Sequence, residues 1–484
     1  MTQSYKMLIG GEWVDAANGG TFEDHNPYNG EVFANVASGT RADATRAIEA
    51  ADGAFAEWHK SPPAQRRSLF LKAADIFEKR QDELVRVLSE ETGSTIGIAM
   101  FQMMFVPGLL REAAAQAYSV TGETIPADYP GAFFMTIRQP AGVVAGFGPF
   151  NVPYILCTRA ITLPIAYGNT AVLKPSEEAP VSGGVLIGEI FQEAGFPPGV
   201  LNILTHSKAD AAEVGDELVV HPAVRRVSFT GSTEIGAIVA EKAGRHLKRA
   251  VMELGGKDPL LILRDADVDF AADAAAWGCF LHQGQICMST ERIIIERPIV
   301  EEFTAKLTQR AQAMKMGDPR DPSVAIGPLI NQGALDKVHA HVMGAVDAGA
   351  GLVTGGKHQG LTYEPTIVSN VTNTMKLFTD QTFGPVAPIV VVEDAEEALR
   401  VANDSKYGLS SGIITNDFTR ALMIARDLDT GMVHIGDQTV NDEPQVPFGG
   451  TKGSGYGRMG GKAALDEFTE LRWISVQMSR RSFP

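Results

Sequence analysis

The sequence predicts an α/β protein with a parallel, doubly wound sheet. From residue 141 to residue 252, short apolar runs that end in turns alternate with helical segments, and the same texture returns between residues 253 and 450. This alternation is typical of parallel strands joined by helices, which bind ligands at the carboxyl ends of the strands. The chain has 484 residues, enough for two or three domains. We therefore expect two α/β domains.

The composition excludes several classes of partner. Hydrophobic residues make up 44% of the chain, charged residues make up 21%, and the formal net charge is −16. An acidic protein repels nucleic acid and anionic lipid, so we expect it to bind neither. Three cysteines without a CxxC pattern indicate a reducing compartment, which we expect to be the cytoplasm, and no metal site. We find no signal peptide and no apolar run of the roughly 20 residues that a membrane span needs.

Individual strands are predicted where apolar or β-branched residues precede turn signals. These strands span residues 7–14, 31–36, 142–147, 170–173, 200–204, 227–229, 260–263, 293–295 and 388–392. Helices are predicted where apolar residues recur every three or four positions. They cover residues 48–58, two segments between 62 and 92, and residues 234–243, 268–279 and 396–403. The Met-rich residues 100–104 are expected to pack on a further helix.

Two segments outside these units predict an arm. Residues 122–140 have an extended texture with a strand at 133–137, and residues 471–477 alternate like an edge strand that could pair with it. An exposed apolar arm of this kind needs a partner, and a second subunit is the expected one. We therefore expect a homodimer or homotetramer.

Two turns at strand ends carry groups suited to a nucleotide. Lys174 and Glu177 follow a strand and could grip ribose hydroxyls, although a solvated charge pair is the alternative. Gly231 and Ser232 open a helix directly after a strand. The free N–H groups and the dipole at such a helix start favour a pyrophosphate, and an ordinary serine cap is the alternative.

Three further residues carry groups suited to covalent catalysis. Cys287 stands where a loop enters a strand, a position that suits a nucleophile, although a cysteine that only packs is the common alternative. Glu253 lies between Met252 and Leu254 and precedes two glycines. Desolvation there raises the pKa of its carboxyl toward that of a general base. Asn151 offers a side-chain amide at a turn, where it could stabilise an oxyanion.

Seven motifs together resemble one family. PFN, KPSE, FTGSTEIG, ELGGK, QGQICMS, TFGPV and PFGG, in this order and spacing, are similar to the NAD(P)-dependent aldehyde dehydrogenase superfamily over essentially the whole chain. The stretches REAAAQAYSVTGETIP, ANDSKYGLSSG and DEFTELRW resemble, more narrowly, the bacterial branch that oxidises vanillin, salicylaldehyde or benzaldehyde. The resemblance implies a Rossmann-like NAD-binding domain, a catalytic α/β domain and a small β oligomerisation arm. Their predicted extents are residues 1–121 with 141–252, residues 253–452, and residues 122–140 with 462–484.

The resemblance also implies roles for individual residues. Cys287 would attack the aldehyde carbon, Asn151 would hold the resulting oxyanion with the Cys287 N–H, and Glu253 would activate the water that hydrolyses the thioester. The cofactor would be NAD rather than NADP, because Glu177 repels a 2′-phosphate. The predicted cofactor residues are Lys174, Glu177, Gly231, Ser232, Phe150, Gln381 and Phe383. Phe150 stands where the family commonly has Trp, and we expect a modest effect because it keeps the bulk and loses only an indole N–H. Gln381 stands where the family usually has Glu, which weakens the expected hold on the nicotinamide ribose.

The substrate pocket is predicted from residues that flank the catalytic loops. These are Val152, Leu156, Arg159, Met288 and Phe448. Arg159 could face a ring hydroxyl, although a structural ion pair is favoured. The remaining alternatives are an aliphatic or semialdehyde dehydrogenase, a relative that transfers the acyl group to coenzyme A, a non-catalytic binding protein and a cysteine hydrolase. Glu253 argues against the coenzyme A reaction, and the hydrolase leaves Lys174 and Ser232 unexplained.

Overall fold

The computed structural model describes residues 3–483 and contains an eight-stranded sheet at the predicted position. In spatial order its strands are Gly455–Tyr456, Arg249–Glu253, Val224–Thr230, Val143–Phe147, Thr170–Lys174, Leu201–Ile203, Met7–Ile9 and Glu12–Val14. The five central strands are parallel. Counted along the chain from Val143–Phe147 they stand in the order 3-2-1-4-5. In such a sheet the ligand crevice opens where the strand order reverses, at the carboxyl ends of the strands.

The central strands are almost continuous apolar runs because helices cover both faces of the sheet. The strand VVAGF at Val143–Phe147 is buried at every position. The helix that follows, Pro153–Ala166, is also buried at every position, and its first residue is a proline, which the first turn tolerates. The other helices of this unit are Arg41–Trp58, Leu186–Ala194, Ala211–Val220 and Thr233–Arg245, with a short π-helical turn at Val181–Val185.

A second, seven-stranded sheet confirms the predicted second α/β unit. Its strands, in spatial order, are Gly351–Thr354, Thr366–Ser369, Val386–Val392, Thr290–Glu296, Asp258–Ile262, Ser410–Ile414 and Met432–Ile435. All neighbours are parallel except the first pair. Its helices are Val268–Phe280, Val300–Ala313, Gln332–Asp347, Lys376–Thr379, Ala395–Asn403 and Phe418–Asp427, with 3₁₀ turns at Leu281–Gly284 and Arg297–Ile299. The exact domain boundaries stay a prediction.

The predicted arm is a three-stranded sheet. Ala132–Pro140 pairs with Thr124–Ile125 on one side and with the tail strand Thr469–Gln477 on the other, antiparallel in both cases. The predicted pairing of tail and arm is therefore confirmed. A short helix, Ala464–Phe468, leads into the tail strand. Trp473 is 63% exposed, so this sheet presents apolar surface.

The amino-terminal region departs from the sequence prediction in two places. The strand predicted at residues 7–14 is a hairpin of Met7–Ile9 and Glu12–Val14, because Gly10 and Gly11 turn the chain with φ values of 62° and 90°. The sequence reading also missed Thr21–His25, which pairs with Val32–Ala37. The remaining short strands are Gln3–Tyr5, His358–Gln359, Thr362–Tyr363, Tyr407–Gly408 and Thr451–Lys452.

Length and composition alone single out one candidate for a membrane span. Among the described residues one helix, Ile96–Gln116, is long and apolar enough. Half of its apolar window is buried, and the helix packs against Pro63–Lys79, Gln81–Thr92 and Pro153–Ala166. Met103 is buried in that contact and Met104 is exposed, so the Met-rich segment is only partly core.

A buried arginine ties the second sheet to the end of a helix. Arg292, on strand Thr290–Glu296, donates from Nε to the Lys257 carbonyl at 3.0 Å. Its Nη atoms donate to the carbonyls of Val401, Ala402 and Asp404 at 2.8–3.2 Å. These carbonyls end the helix Ala395–Asn403, where backbone acceptors lack partners within the helix. Burial lowers the pKa of Arg292 to about 10, so the group stays charged at neutral pH.

Replacing Arg292 by methionine should therefore destabilise the protein. Arg292→Met leaves four carbonyls without a charged donor, of which those of Lys257 and Ala402 belong to buried residues, and we expect it to lower the free energy of unfolding by about 3 kcal/mol. The measurement is urea denaturation followed by circular dichroism. The control is Arg297→Met, which removes an ion pair to Glu393 from a side chain that is 61% exposed, and which should cost less than about 1 kcal/mol. Equal losses in the two variants would contradict this account.

Candidate active site

One cavity of about 780 Å³ collects residues from both α/β units. It opens at the carboxyl ends of the central strands of the eight-stranded sheet, where doubly wound sheets bind their ligands. All ten predicted catalytic and cofactor residues line it, together with one predicted substrate residue. They are Phe150, Asn151, Leu156, Lys174, Glu177, Gly231, Ser232, Glu253, Cys287, Gln381 and Phe383.

The other four predicted substrate residues do not line this cavity. Val152, Met288 and Phe448 are buried in the hydrophobic cluster that contains Leu156 and against which Cys287 packs. Arg159 is buried as well, and its guanidinium forms an ion pair with Asp442 at 2.6 Å. The structural ion pair favoured from the sequence is thus confirmed.

The loop before Cys287 has an unusual backbone that is held rigidly. His282, Gln283 and Gly284 are all left-handed, with φ values of 52°, 55° and 68°. Gln283 Nε2 donates to the carbonyls of Gly93 and Pro328 at 3.1 and 3.0 Å. A Cβ at Gly284 would lie 2.1 Å from the Gly384 carbonyl oxygen, so no other residue fits. Gly284 therefore permits the close approach of the two backbones.

Asn151 is anchored beside the cysteine. Its side-chain Nδ2 donates to the carbonyl of Gln285, two residues before Cys287, at 2.9 Å. Gln285 is fixed in turn, since its Oε1 accepts from the Ile330 N–H at 3.1 Å. An amide nitrogen carries two hydrogens, so the second N–H of Asn151 remains available for another acceptor.

Glu253 presents a desolvated carboxyl at the end of strand Arg249–Glu253. The side chain is buried, and neither oxygen has a hydrogen-bond partner within residues 3–483. Burial raises the pKa of this carboxyl well above its usual value, and the nearby cations Arg159 and Arg458 oppose the rise. The predicted direction of the shift agrees with the structure.

The two glycines after Glu253 explain the close packing of this segment. A Cβ at Gly255 would lie 2.3 Å from Gln381 Oε1, and one at Gly256 would lie 2.6 Å from the Cys287 carbonyl oxygen. The backbone contact at Gly256 excludes any side chain there, whereas a side chain at Gly255 would displace the end of the Gln381 side chain. The two glycines therefore bring the segment that follows Glu253 against Gln381 and Cys287.

Cys287 is a protonated thiol at rest. Burial raises its pKa to about 12, and the carboxyls of Asp258 and Glu253 contribute to the rise. The thiolate is the nucleophilic form of cysteine. The geometry therefore requires a base to generate it.

A buried ion pair that the sequence reading missed joins three of the motifs. Lys257 Nζ lies 2.5 Å from Glu291 Oε2, and both side chains are buried. Glu291 also accepts from the backbone N–H groups of Thr382 and Phe383 at 2.7 and 2.8 Å. The sequence feature that could have indicated this pair is a lysine and a glutamate that each stand beside a run predicting a buried strand.

Four of the predicted cofactor residues stand at strand ends of the eight-stranded sheet: Lys174 and Glu177 at the end of Thr170–Lys174, and Gly231 and Ser232 at the end of Val224–Thr230. Burial lowers the pKa of Lys174 to about 8. Ser232 Oγ accepts from the Ile235 N–H at 3.3 Å, so the serine also caps the helix Thr233–Arg245. Three further lysines that the sequence reading did not select line the same cavity: Lys208, Lys242 and Lys337. Within residues 3–483 no group of three or more His, Cys, Asp or Glu side chains could hold a metal ion.

The state of the thiol predicts its reactivity. Cys157 and Cys279 are fully buried, whereas Cys287 reaches the cavity. Iodoacetamide should therefore modify Cys287 alone. Because the raised pKa keeps the thiol protonated at neutral pH, the rate should keep rising above pH 9. Mass spectrometry of tryptic peptides measures which cysteine is modified and how fast, with Cys287→Ala as the control. A rate that is already constant from pH 7 would contradict the raised pKa.

Comparisons with known proteins agree with this site. Residues 13–474 match the model of the aldehyde dehydrogenase family. The chain is 46% identical to vanillin dehydrogenase of Pseudomonas fluorescens over 99% of both chains. It superposes with a TM-score of 0.98, at 40% identity and full coverage of both chains, on salicylaldehyde dehydrogenase from Pseudomonas putida G7 in complex with salicylaldehyde. Betaine aldehyde dehydrogenase from Staphylococcus aureus in complex with NAD⁺ gives a TM-score of 0.96 at 33% identity, covering 99% of this chain and 96% of that one.

These matches confirm both the predicted family and its narrower aromatic-aldehyde resemblance. They extend over nearly the whole chain, and six of the seven motifs contribute residues to one cavity. The chain belongs to the aldehyde dehydrogenase family.

Proposed function

We propose that the protein oxidises an aromatic aldehyde to the carboxylic acid with NAD as the hydride acceptor. The observation that carries the proposal is that the thiol of Cys287, the amide of Asn151 and the carboxyl of Glu253 line one cavity together with the predicted cofactor residues. Relatives that are named vanillin and salicylaldehyde dehydrogenases, at 41–46% identity, support an aromatic substrate.

The first step is addition of Cys287 to the aldehyde. Because the thiol is protonated at rest, ionised Glu253, in the same cavity, takes the proton. The sulfur then bonds to the carbonyl carbon, and the carbonyl electron pair moves to oxygen. The second N–H of Asn151 and the backbone N–H of Cys287 stabilise this oxyanion, an effect commonly worth about 3 kcal/mol per donor. Collapse of the oxyanion expels hydride and leaves a thioester on Cys287.

The second step is hydrolysis of that thioester. Glu253 first releases to solvent the proton that it took from Cys287, and the carboxylate then takes a proton from a water molecule as the water attacks the thioester carbon. The carbon–sulfur bond breaks, the acid leaves, and Cys287 recovers its proton. Glu253 must therefore alternate between its two forms, and burial raises its pKa, which makes the protonated form more accessible than for an exposed carboxyl.

The cavity fits a nicotinamide dinucleotide, which supplies the hydride acceptor when it is bound. Lys174 and Glu177 would hold the adenosine ribose. The start of the helix after Gly231 and Ser232 would hold the pyrophosphate. At the other end, the Gln381 side chain has a buried Nε2 without a hydrogen-bond partner among the described residues. That donor is available for a ribose hydroxyl. Phe150 and Phe383, with ring centroids 6.1 Å apart, would pack at the nicotinamide end.

We propose NAD rather than NADP as the preferred cofactor because of Glu177. A carboxylate at the adenosine ribose accepts hydrogen bonds from its hydroxyls and repels a 2′-phosphate. Lys208 lines the same cavity and attracts such a phosphate, which limits the preference. We therefore expect the enzyme to prefer NAD but still to accept NADP.

The aromatic ring would lie on the hydrophobic side of Cys287. Leu156 lines the cavity there, with Val152, Met288 and Phe448 directly behind it in the same cluster. We also propose that the arm sheet, with exposed Trp473 and Leu471, is covered by a second subunit in a homo-oligomer. A cytoplasmic location stays a prediction from the cysteine content.

Variants of the two proposed catalytic side chains should block different steps of the reaction. Cys287→Ala should abolish NADH formation, because no bond to the substrate forms. Glu253→Gln should release a burst of about one NADH per active site and then stall at the thioester, provided that the thiol is ionised by raising the pH. Stopped-flow absorbance measures the burst. Steady turnover near that of the wild type in either variant would contradict the assignment.

A substrate panel tests the proposed specificity. Vanillin, salicylaldehyde and benzaldehyde should exceed a small aliphatic aldehyde in kcat/KM by about tenfold or more, because burial of a ring adds binding energy. A higher value for an acidic semialdehyde would favour the aliphatic alternative instead. The panel is run with NAD and with NADP, and we expect kcat/KM to be higher with NAD. A clear preference for NADP would mean that Glu177 does not face the ribose.

A further inference from the structure

An incompletely bonded ion pair lies beside the catalytic residues. Arg159 Nη2 and Asp442 Oδ2 are 2.6 Å apart, and the two side chains are only 2% and 9% exposed. The Nε and Nη1 atoms of Arg159 and Oδ1 of Asp442 are buried without hydrogen-bond partners among residues 3–483. Buried pairs stabilise a fold only when their remaining polar atoms are also satisfied. Fold stability therefore does not account for this pair.

The pair is connected to Glu253 through Phe448 and Gly449. The Arg159 guanidinium lies over the Phe448 ring, 4.7 Å from its centroid. The next residue, Gly449, touches Glu253, since a Cβ at Gly449 would lie 2.6 Å from Glu253 Oε1. Arg159 itself stands on the helix Pro153–Ala166, which begins just after Asn151. The pair thus adjoins the segment that supports the carboxyl.

Four charged or titratable groups face Glu253, each from a different element. They are Arg159 on the helix, Asp442 on the segment before Phe448, Arg458 after Gly457, and the thiol of Cys287. Arg458 Nη1 is already bonded to the carbonyls of Gly450 and Gly457. Arg159 is the strongest of the cations that favour ionised Glu253, and Asp442 acts in the opposite direction.

We propose that Arg159 and Asp442 are positioning residues that set the fraction of Glu253 in its ionised, basic form. Arg159 favours the carboxylate that hydrolyses the thioester, and Asp442 fixes the guanidinium and limits its effect. Arg159 acts here through its charge on Glu253, not through contact with the substrate ring. The inference rests on the proposed function, in which Glu253 is the base.

The direction of the effect follows from the charges. Burial raises the pKa of Glu253, so kcat rises with pH as the carboxyl ionises. Removing the cation disfavours the carboxylate and moves this rising limb to higher pH. Removing the anion of Asp442 favours the carboxylate and moves the limb to lower pH.

The test is the pH dependence of kcat in the full-length enzyme with an aromatic aldehyde and NAD. Arg159→Met should move the rising limb up by about one pH unit, and Asp442→Asn should move it down by about half a unit. The double variant should lie between the wild type and Arg159→Met, because the cation has the larger effect. Arg159→Lys keeps the charge and should stay near the wild type. Asp442→Asn and Arg159→Lys preserve size, so they test the proposal even if Arg159→Met does not fold.

The matched control is Arg226→Met. Arg226 is also buried and paired with a carboxylate, Glu470, but it lies four positions before Thr230, the strand partner of Glu253. This variant should leave the limb unchanged. If the role of the pair were purely structural, kcat would fall by the same factor at every pH and the rising limb of the pH profile would stay in place. The proposal would be overturned if the limb stayed fixed in Arg159→Met and Asp442→Asn, or if it moved in the same direction in both variants. If the wild type forms no NADH from any aldehyde, the proposed function fails first and the inference fails with it.

Discussion

The buried ion pair of Lys257 and Glu291 is the interaction on which the catalytic arrangement depends. Lys257 follows the glycines that bring its segment against Cys287, and Glu291 follows the cysteine itself. Glu291 also holds the backbone of Thr382 and Phe383. Three loops that contribute separately to one cavity are therefore fixed by a single carboxylate. Breaking such a pair leaves an uncompensated charge in the interior, which costs about 3–5 kcal/mol.

Desolvation has opposite consequences for the two reactive groups. It makes Glu253 a stronger base, because the pKa of a buried carboxyl rises, and it makes Cys287 a weaker acid for the same reason. A site that excludes water thus holds Cys287 as a protonated thiol, which is not nucleophilic, before the substrate reacts. Both groups line one cavity, so in the proposed mechanism Glu253, whose pKa burial raises, takes the proton from the Cys287 thiol.

Much of the fold and of the site was predictable because the signals are local. Strands such as Val143–Phe147 are short apolar runs, and residues at their ends, such as Lys174 and Ser232, meet automatically when parallel strands align. Glu253 could be recognised as desolvated from its apolar and glycine neighbours alone. The roles that the resemblance assigns to these residues stay predictions until the variants are measured.

What the sequence did not reveal depends on contacts between distant segments. Glu291 and Thr382 are 91 positions apart, and no local sequence pattern indicates that they form a hydrogen bond. The helix Ile96–Gln116 escaped notice as a long apolar helix because its apolar residues are interrupted by Gln102 and Pro107. Phe448 and Met288 flank catalytic loops in sequence, yet their side chains pack behind the cavity, since adjacency in sequence does not fix which way a side chain points.

The contact between Gly284 and the Gly384 carbonyl has an evolutionary consequence. The loop that carries Cys287 and the loop that carries Phe383 meet backbone to backbone, without an intervening side chain that could adjust. Neither loop can shift unless the other shifts with it. Exchanging either loop alone between members of the family would therefore disturb the binding of both the substrate and the cofactor. We expect new substrate specificities in the family to arise when the two loops change together.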